Sequence, residues 1–343
     1  MAHLRQFLLA HCRRLDPGCF ALVMATGIVS IDASQHGMPQ LALALLIVNA
    51  AAYLWLLGLS ALRLWRFPVR VLADFANPRR ASGFLTLTAA TCVLGSQCLL
   101  VVHVRALAGG LALAGALLWF ALLYPLCVVA ITRHHKPGFS RSINGGWLVS
   151  VVATQALAVL AILLASGSNE GSGLLFAGLC LLLLGAGLYV LIIILIVSRL
   201  FFFPLRALEF RAPYWIDMGA LAITTLAGSL YVEHAVGSLV GFVPFVRGLT
   251  LFTWAAASAW IPLLIMLELW RYLWRRVPLR YEPDAWDIVF PIGMYTVSTF
   301  VLARALELPF LLIVPEAGGY VSLAVWALVA IGLIARLRRE GWS

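Results

Sequence analysis

The chain has 343 residues, 63% of them hydrophobic and only 11% charged, with 24 Lys and Arg against 14 Asp and Glu for a formal net charge of +10. A water-soluble globule of this size needs far more polar surface, so the composition excludes soluble enzymes and binding modules. What remains is an all-α, polytopic membrane protein, in which a basic excess is explained by the placement of loops rather than by nucleic acid.

Ten apolar stretches follow one another, each near the ~20 residues that cross the hydrocarbon. They cover 18–37, 41–62, 82–101, 109–131, 145–165, 173–197, 215–236, 246–270, 286–306 and 318–335. The first follows Arg13, Arg14, Asp16 and Pro17 and ends in IDASQHG without a small-x-small cleavage site, so it reads as a retained helix rather than a signal peptide. Connections are short throughout, and residues 1–343 read as a single transmembrane domain.

Hydroxyl side chains fall almost entirely in the odd-numbered spans: Thr26 and Ser30 in the first, Ser82 to Ser96 in the third, Ser150 and Thr154 in the fifth, Thr224, Thr225 and Ser229 in the seventh, and Thr296, Ser298 and Thr299 in the ninth. The fourth and sixth carry none. A weak repeat runs through the odd spans as FALVMATG, FLTLTAATC, WLVSVVATQ, MGALAITTL and FPIGMYTV, which sets Thr26, Thr91, Thr154, Thr225 and Thr296 at similar depth. The pattern predicts five helical hairpins, with the odd helices in an inner ring around a central pore lined by hydroxyls and the even helices outside.

The basic residues fix the orientation. With both termini cytoplasmic, 21 of the 24 fall on the cytoplasmic side, and only Arg105, Arg247 and Arg304 lie opposite. One helix more or fewer would swap the side of every later loop and destroy the split. The odd spans begin with helix-start chemistry: Asp16 with Pro17, Asn77 with Pro78, Asn144, Pro213 with Asp217, and Pro283 with Asp284 and Asp287. Five positive dipole ends would then converge at one mouth and favour anions modestly.

No charged side chain lies at the middle of an odd span, which argues against a cation pathway. HExxH, GxSxG and Walker A patterns are missing. The six cysteines show no CxxC spacing, so no metal site, cofactor or disulfide framework is expected. Asp32, His36, Glu233 and His234, at the outer helix ends, form a candidate outer vestibule, with simple solvation as the competing reading. In the ninth span Phe290 and Pro291 stand out, because Pro weakens the helix and a ring beside it has the bulk to plug a narrow tube.

Segments FALVMATGIVSI (20–31), RASGFLTLTAATCVLGS (80–96) and WDIVFPIGMYTVST (286–299) resemble the tellurite-resistance/dicarboxylate transporter family. Its members include bacterial TehA, fungal malate permeases and sulfite exporters, and plant guard-cell slow anion channels. The resemblance runs through essentially the whole chain. It implies a homotrimer with a pore in each subunit, conducting anions past a phenylalanine on the ninth helix, here Phe290, with Tyr295 as a rival aromatic.

The resulting expectation is a multi-pass protein of the bacterial inner membrane that moves small anions, with C4-dicarboxylates as candidates. Its pathway would be lined by Thr26, Gly27, Ser30, Thr91, Thr154, Thr225, Tyr295, Thr296 and Thr299, and its partners are the lipid bilayer and the anion. Two alternatives stand beside it: a proton-coupled dicarboxylate or sulfite carrier that titrates Asp32, Glu233 or His234, and a membrane-embedded enzyme or binding protein that uses the polar outer cluster.

Overall fold

A computed structural model describes residues 12–13, 15–136, 138–166, 171–279 and 281–340. Of the basic residues used in the orientation argument, Arg5, Arg14 and Arg280 lie outside the described residues. Ten helices are long and apolar enough to cross a membrane: α1 (Pro17–Gln35), α2 (Pro39–Arg66), α3 (Ala81–Val101), α4 (Arg105–Thr132), α5 (Gly145–Ala165), α6 (Gly171–Phe202), α7 (Ala212–His234), α8 (Gly237–Trp274), α9 (Pro283–Ala305) and α10 (Pro309–Arg339). A short helix, Pro68–Phe75, follows α2.

The odd helices have 19 to 23 residues and the even ones 28 to 38. At about 1.5 Å per residue the odd set spans little more than the ~30 Å hydrocarbon layer, while the even set overruns it. Apolar length alone therefore undershoots the even helices. The expected start of α8 at 246 moves back to Gly237, where a 3-10 turn leads in, and its end runs on through a π turn, Trp270–Trp274.

Packing separates the two sets. Each odd helix touches the next in the order α1, α3, α5, α7, α9, and α9 returns to α1. Each even helix lies against its hairpin partner and the following odd helix, so α2 meets α1 and α3, α4 meets α3 and α5, and α10 meets α9 and α1. Between 67% and 100% of the apolar stretch of each odd helix is buried, against 6% to 28% for the even ones. The outward faces of the even helices are apolar, as lipid contact requires.

All five inner helices open with a 3-10 turn, and these turns also touch in a closed cycle. The expected caps hold at two of them: Asp16 Oδ1 accepts the Gly18 N–H at 2.8 Å, and Asn144 Oδ1 accepts the Gly146 N–H at 2.8 Å. Pro17, Pro213 and Pro283 occupy first-turn positions, where the missing N–H costs nothing. Asp217 departs from expectation, since it is fully buried within α7 and caps nothing. Glycines let the turns close together: a Cβ on Gly83 would stand 2.8 Å from the Gly18 nitrogen.

Candidate functional site

Where the 3-10 turns converge, the protein encloses a cavity of about 510 Å³. Its wall takes Asp16 from the start of α1, Ser82 and Thr86 from α3, Asn144 and Val149 from α5, Tyr214 from α7, and Asp284 and Asp287 from α9. Arg79, Arg80 and Arg211 add positive charge from the connecting segments, and Arg199 from the last turn of α6. Arg80 bridges Asp16 at 3.3 Å and Asp74 at 2.8 Å, Arg199 pairs with Glu209 at 2.9 Å, and Arg211 pairs with Glu282 at 3.0 Å and Asp284 at 2.9 Å. Arginines, the starts of five helices and balancing carboxylates make a polar mouth in an otherwise apolar molecule.

Phe290 lies deeper on α9 and is 2% exposed. Asp287 and Phe290 are one helical turn apart and share a face, which continues through Met294, Val297 and Val301. The remaining faces of α9 are engaged elsewhere. Tyr295 hydrogen-bonds Ser258 on α8 at 2.7 Å, and Thr299 accepts from Trp254 Nε1 on α8 at 3.0 Å. Thr296 packs toward α10, where a Cβ on Gly318 would meet its Oγ1 at 2.6 Å. Pro291 sits against α7 at Gly219, whose Cβ, if present, would stand 2.7 Å from the proline ring. Phe290 thus shares the α9 face of Asp287 in the cavity wall, and Tyr295 lies on another face, bonded to α8.

Four threonines of the repeat, Thr26, Thr91, Thr154 and Thr225, hydrogen-bond side chains of outer helices, while the Thr296 hydroxyl donates to the Ile292 carbonyl of its own helix. Trp326 Nε1 on α10 donates to Thr26 at 3.0 Å, and Trp119 Nε1 on α4 donates to Thr154 at 2.8 Å. Thr91 shares a 2.9 Å hydrogen bond with Tyr53 on α2, and Thr225 one of 2.9 Å with Thr253 on α8. Ser30 donates to the Ala42 carbonyl on α2 at 2.7 Å, and Gly27 faces Val93 of α3 and Asn49 of α2.

These contacts explain why hydroxyls avoid the even helices. Tyr53, Trp119, Tyr189, Trp254 and Trp326 sit one on each outer helix, and each bonds an inner helix of the next hairpin: Thr91, Thr154, the Asp217 carbonyl (3.1 Å), Thr299 and Thr26. The outer partner is a large amphipathic ring and the inner one a small acceptor, which fits a seam between closely packed helices. The signal present in the sequence is that every even span carries at least one Trp or Tyr.

The four outer-end groups make two separate sets of contacts. Asp32 is buried and accepts from Ser322 of α10 at 2.6 Å, while His36 stands 3.1 Å from the Asp32 carboxylate and 2.8 Å from the Pro315 carbonyl. Burial lowers the His36 pKa, but the carbonyl and carboxylate of Asp32 and the Pro315 carbonyl outweigh it, and the net shift is upward. Glu233 pairs instead with Arg304 of α9 at 3.5 Å, and His234 Nδ1 meets the Leu230 carbonyl of its own helix. Among the described residues no hydrogen bond or ion pair joins the two groups.

Comparison with known proteins bears on what this arrangement serves. A family model described as SLAC1, voltage-dependent anion channel, matches residues 14–334. An uncharacterized membrane protein of Mycobacterium tuberculosis, found in strains CDC 1551 and H37Rv, is 40% identical over 151 residues, covering 44% of this chain and 77% of that one. An uncharacterized transporter of Methanocaldococcus jannaschii is 22% identical over 303 residues, covering 84% of this chain and 83% of its own.

Proposed function

From the premise that the chain belongs to the SLAC1 voltage-dependent anion channel family, we propose that it passes small anions along the axis of its five inner helices, with Phe290 as the occluding side chain. The observation that carries this reading is the position of Phe290, one turn deeper than Asp287 of the cavity wall, inside a closed ring of inner helices. The pathway starts at the arginine-bearing cavity. Along it we place apolar residues of the inner helices: Ala89 on α3, Val152 and Ala156 on α5, and Met294 and Val297 on α9. Such a surface gives an anion little to bind, and weak binding is what rapid passage requires.

The positive-inside rule puts the cavity on the cytoplasmic side of a bacterial inner membrane. Small inorganic anions and C4-dicarboxylates are the substrates to test first, and a homotrimer would cover part of the apolar outer surface while leaving each protomer its own pathway. The experiment is flux of chloride, nitrate, sulfite and malate into liposomes carrying wild type or Phe290→Ala. Faster flux in the variant supports the assignment. A folded, correctly inserted Phe290→Ala protein with unchanged flux for every anion removes Phe290 as the gate.

A further inference from the structure

The cavity wall contains one charge that the ion-pair network leaves out. Of its four carboxylates, Asp16 is held by Arg80, Glu209 by Arg199 and Asp284 by Arg211. Asp287 makes no hydrogen bond or salt bridge among the described residues. It is also the carboxylate nearest to Phe290 along α9, one turn away on the same face. An unpaired carboxylate is costly so close to the membrane interior, and its position there calls for a role.

We infer that Asp287 is a proton-binding residue of the anion pathway, whose charge state sets how readily an anion passes from the cavity to Phe290. The inference rests on the transport reading above. An ionised Asp287 places a negative charge directly in front of the occluding ring, where low local dielectric makes repulsion of an approaching anion strong. Taking up one proton from the cavity removes that charge without moving the helix, and releasing it restores the barrier. The groups that face Asp287 are already committed. Asp284 on its own helix and Arg211 before α7 hold each other, Asp16 from the start of α1 is held by Arg80, and Tyr214 of α7 is neutral. Asp287 is therefore the group free to change charge in response to the pH of the compartment that the cavity opens to.

The test uses the full chain in liposomes, with nitrate or chloride flux read while pH is varied on the cavity side alone. Wild-type flux is expected to rise about tenfold between neutral and mildly acidic pH. Asp287→Asn is expected to run at the fast level throughout, without pH dependence, and Asp287→Glu to keep the dependence. A folded Asp287→Asn protein with the wild-type pH response overturns the inference while leaving transport intact. Absence of flux in both wild type and Phe290→Ala overturns the transport reading instead. A readout independent of flux is the infrared carbonyl band of a protonated carboxylic acid: it should appear on mild acidification of wild type and be missing in Asp287→Asn. An acid-induced band of equal size in both proteins counts against Asp287 as the proton site.

Discussion

On their outward faces the inner helices carry Thr26, Thr91, Thr154 and Thr299, each bonded to a Trp or Tyr of an outer helix from another hairpin. On the opposite face of α9 stand Asp287, Phe290, Met294 and Val297, and α5 likewise turns Val149, Val152 and Ala156 away from its pin at Thr154. These four hydroxyls therefore hold the ring together, while apolar groups of α5 and α9 face the proposed path. Inside a bilayer this division is reasonable. Lipid gives no hydrophobic drive for helix association, so small hydroxyls meeting aromatic N–H and O–H donors supply specificity at the seams. A path for anions gains from the opposite choice, a wall that does not hold them.

The contrast can be broken at several points. The largest effect is expected where the two faces meet a third helix: Gly219→Val drives a side chain into Pro291 and should destabilise the fold by roughly 1–3 kcal/mol, as overpacking of a tight contact does. It should also displace Phe290, so thermal unfolding in detergent and anion flux are expected to change together. Next comes a pin. Trp119→Phe removes the donor to Thr154 and should cost about 1 kcal/mol, read as a lowered unfolding temperature, with flux per folded protein unchanged. A large flux change in that variant would place Thr154 in the path after all.

The smallest effect concerns the outer end of the α1–α10 seam. His36 has its folded pKa raised, so the stability it contributes is fully present below its ordinary value near 6.5 and is lost as pH rises through the folded value. Wild type should therefore lose a few tenths of a kcal/mol relative to His36→Gln between about pH 6 and 8, because His36 is partly exposed and screened. A difference between the two proteins that does not vary with pH would show that the imidazole does not titrate in this contact.

The number and order of the helices were legible in the sequence because length in hydrocarbon and loop charge are strong constraints, and each acts on a whole segment. The alternation of hydroxyls was legible too, and it did separate inner from outer helices. The partners of those hydroxyls were not. A Thr in a membrane helix looks the same whether it faces water or a tryptophan, and only the position of Trp119 or Trp326 on a neighbouring helix decides. Phe290 was singled out by the proline beside it and by family resemblance, and the structure adds the face it shares with Asp287. In the sequence Asp287 looks like routine helix-start chemistry. That was sound for Asp16 and Asn144, which do cap their turns, and what sets Asp287 apart is the missing partner, which no single segment reveals.

The two faces are compared most directly by introducing single cysteines into a cysteine-free Phe290→Ala background and exposing them from the cavity side to a charged, membrane-impermeant thiol reagent. Met294→Cys is expected to react and to block anion flux, whereas Thr154→Cys is expected to stay unmodified. Reaction at Thr154→Cys with protection at Met294→Cys would contradict the account and return the path to the hydroxyl-bearing faces.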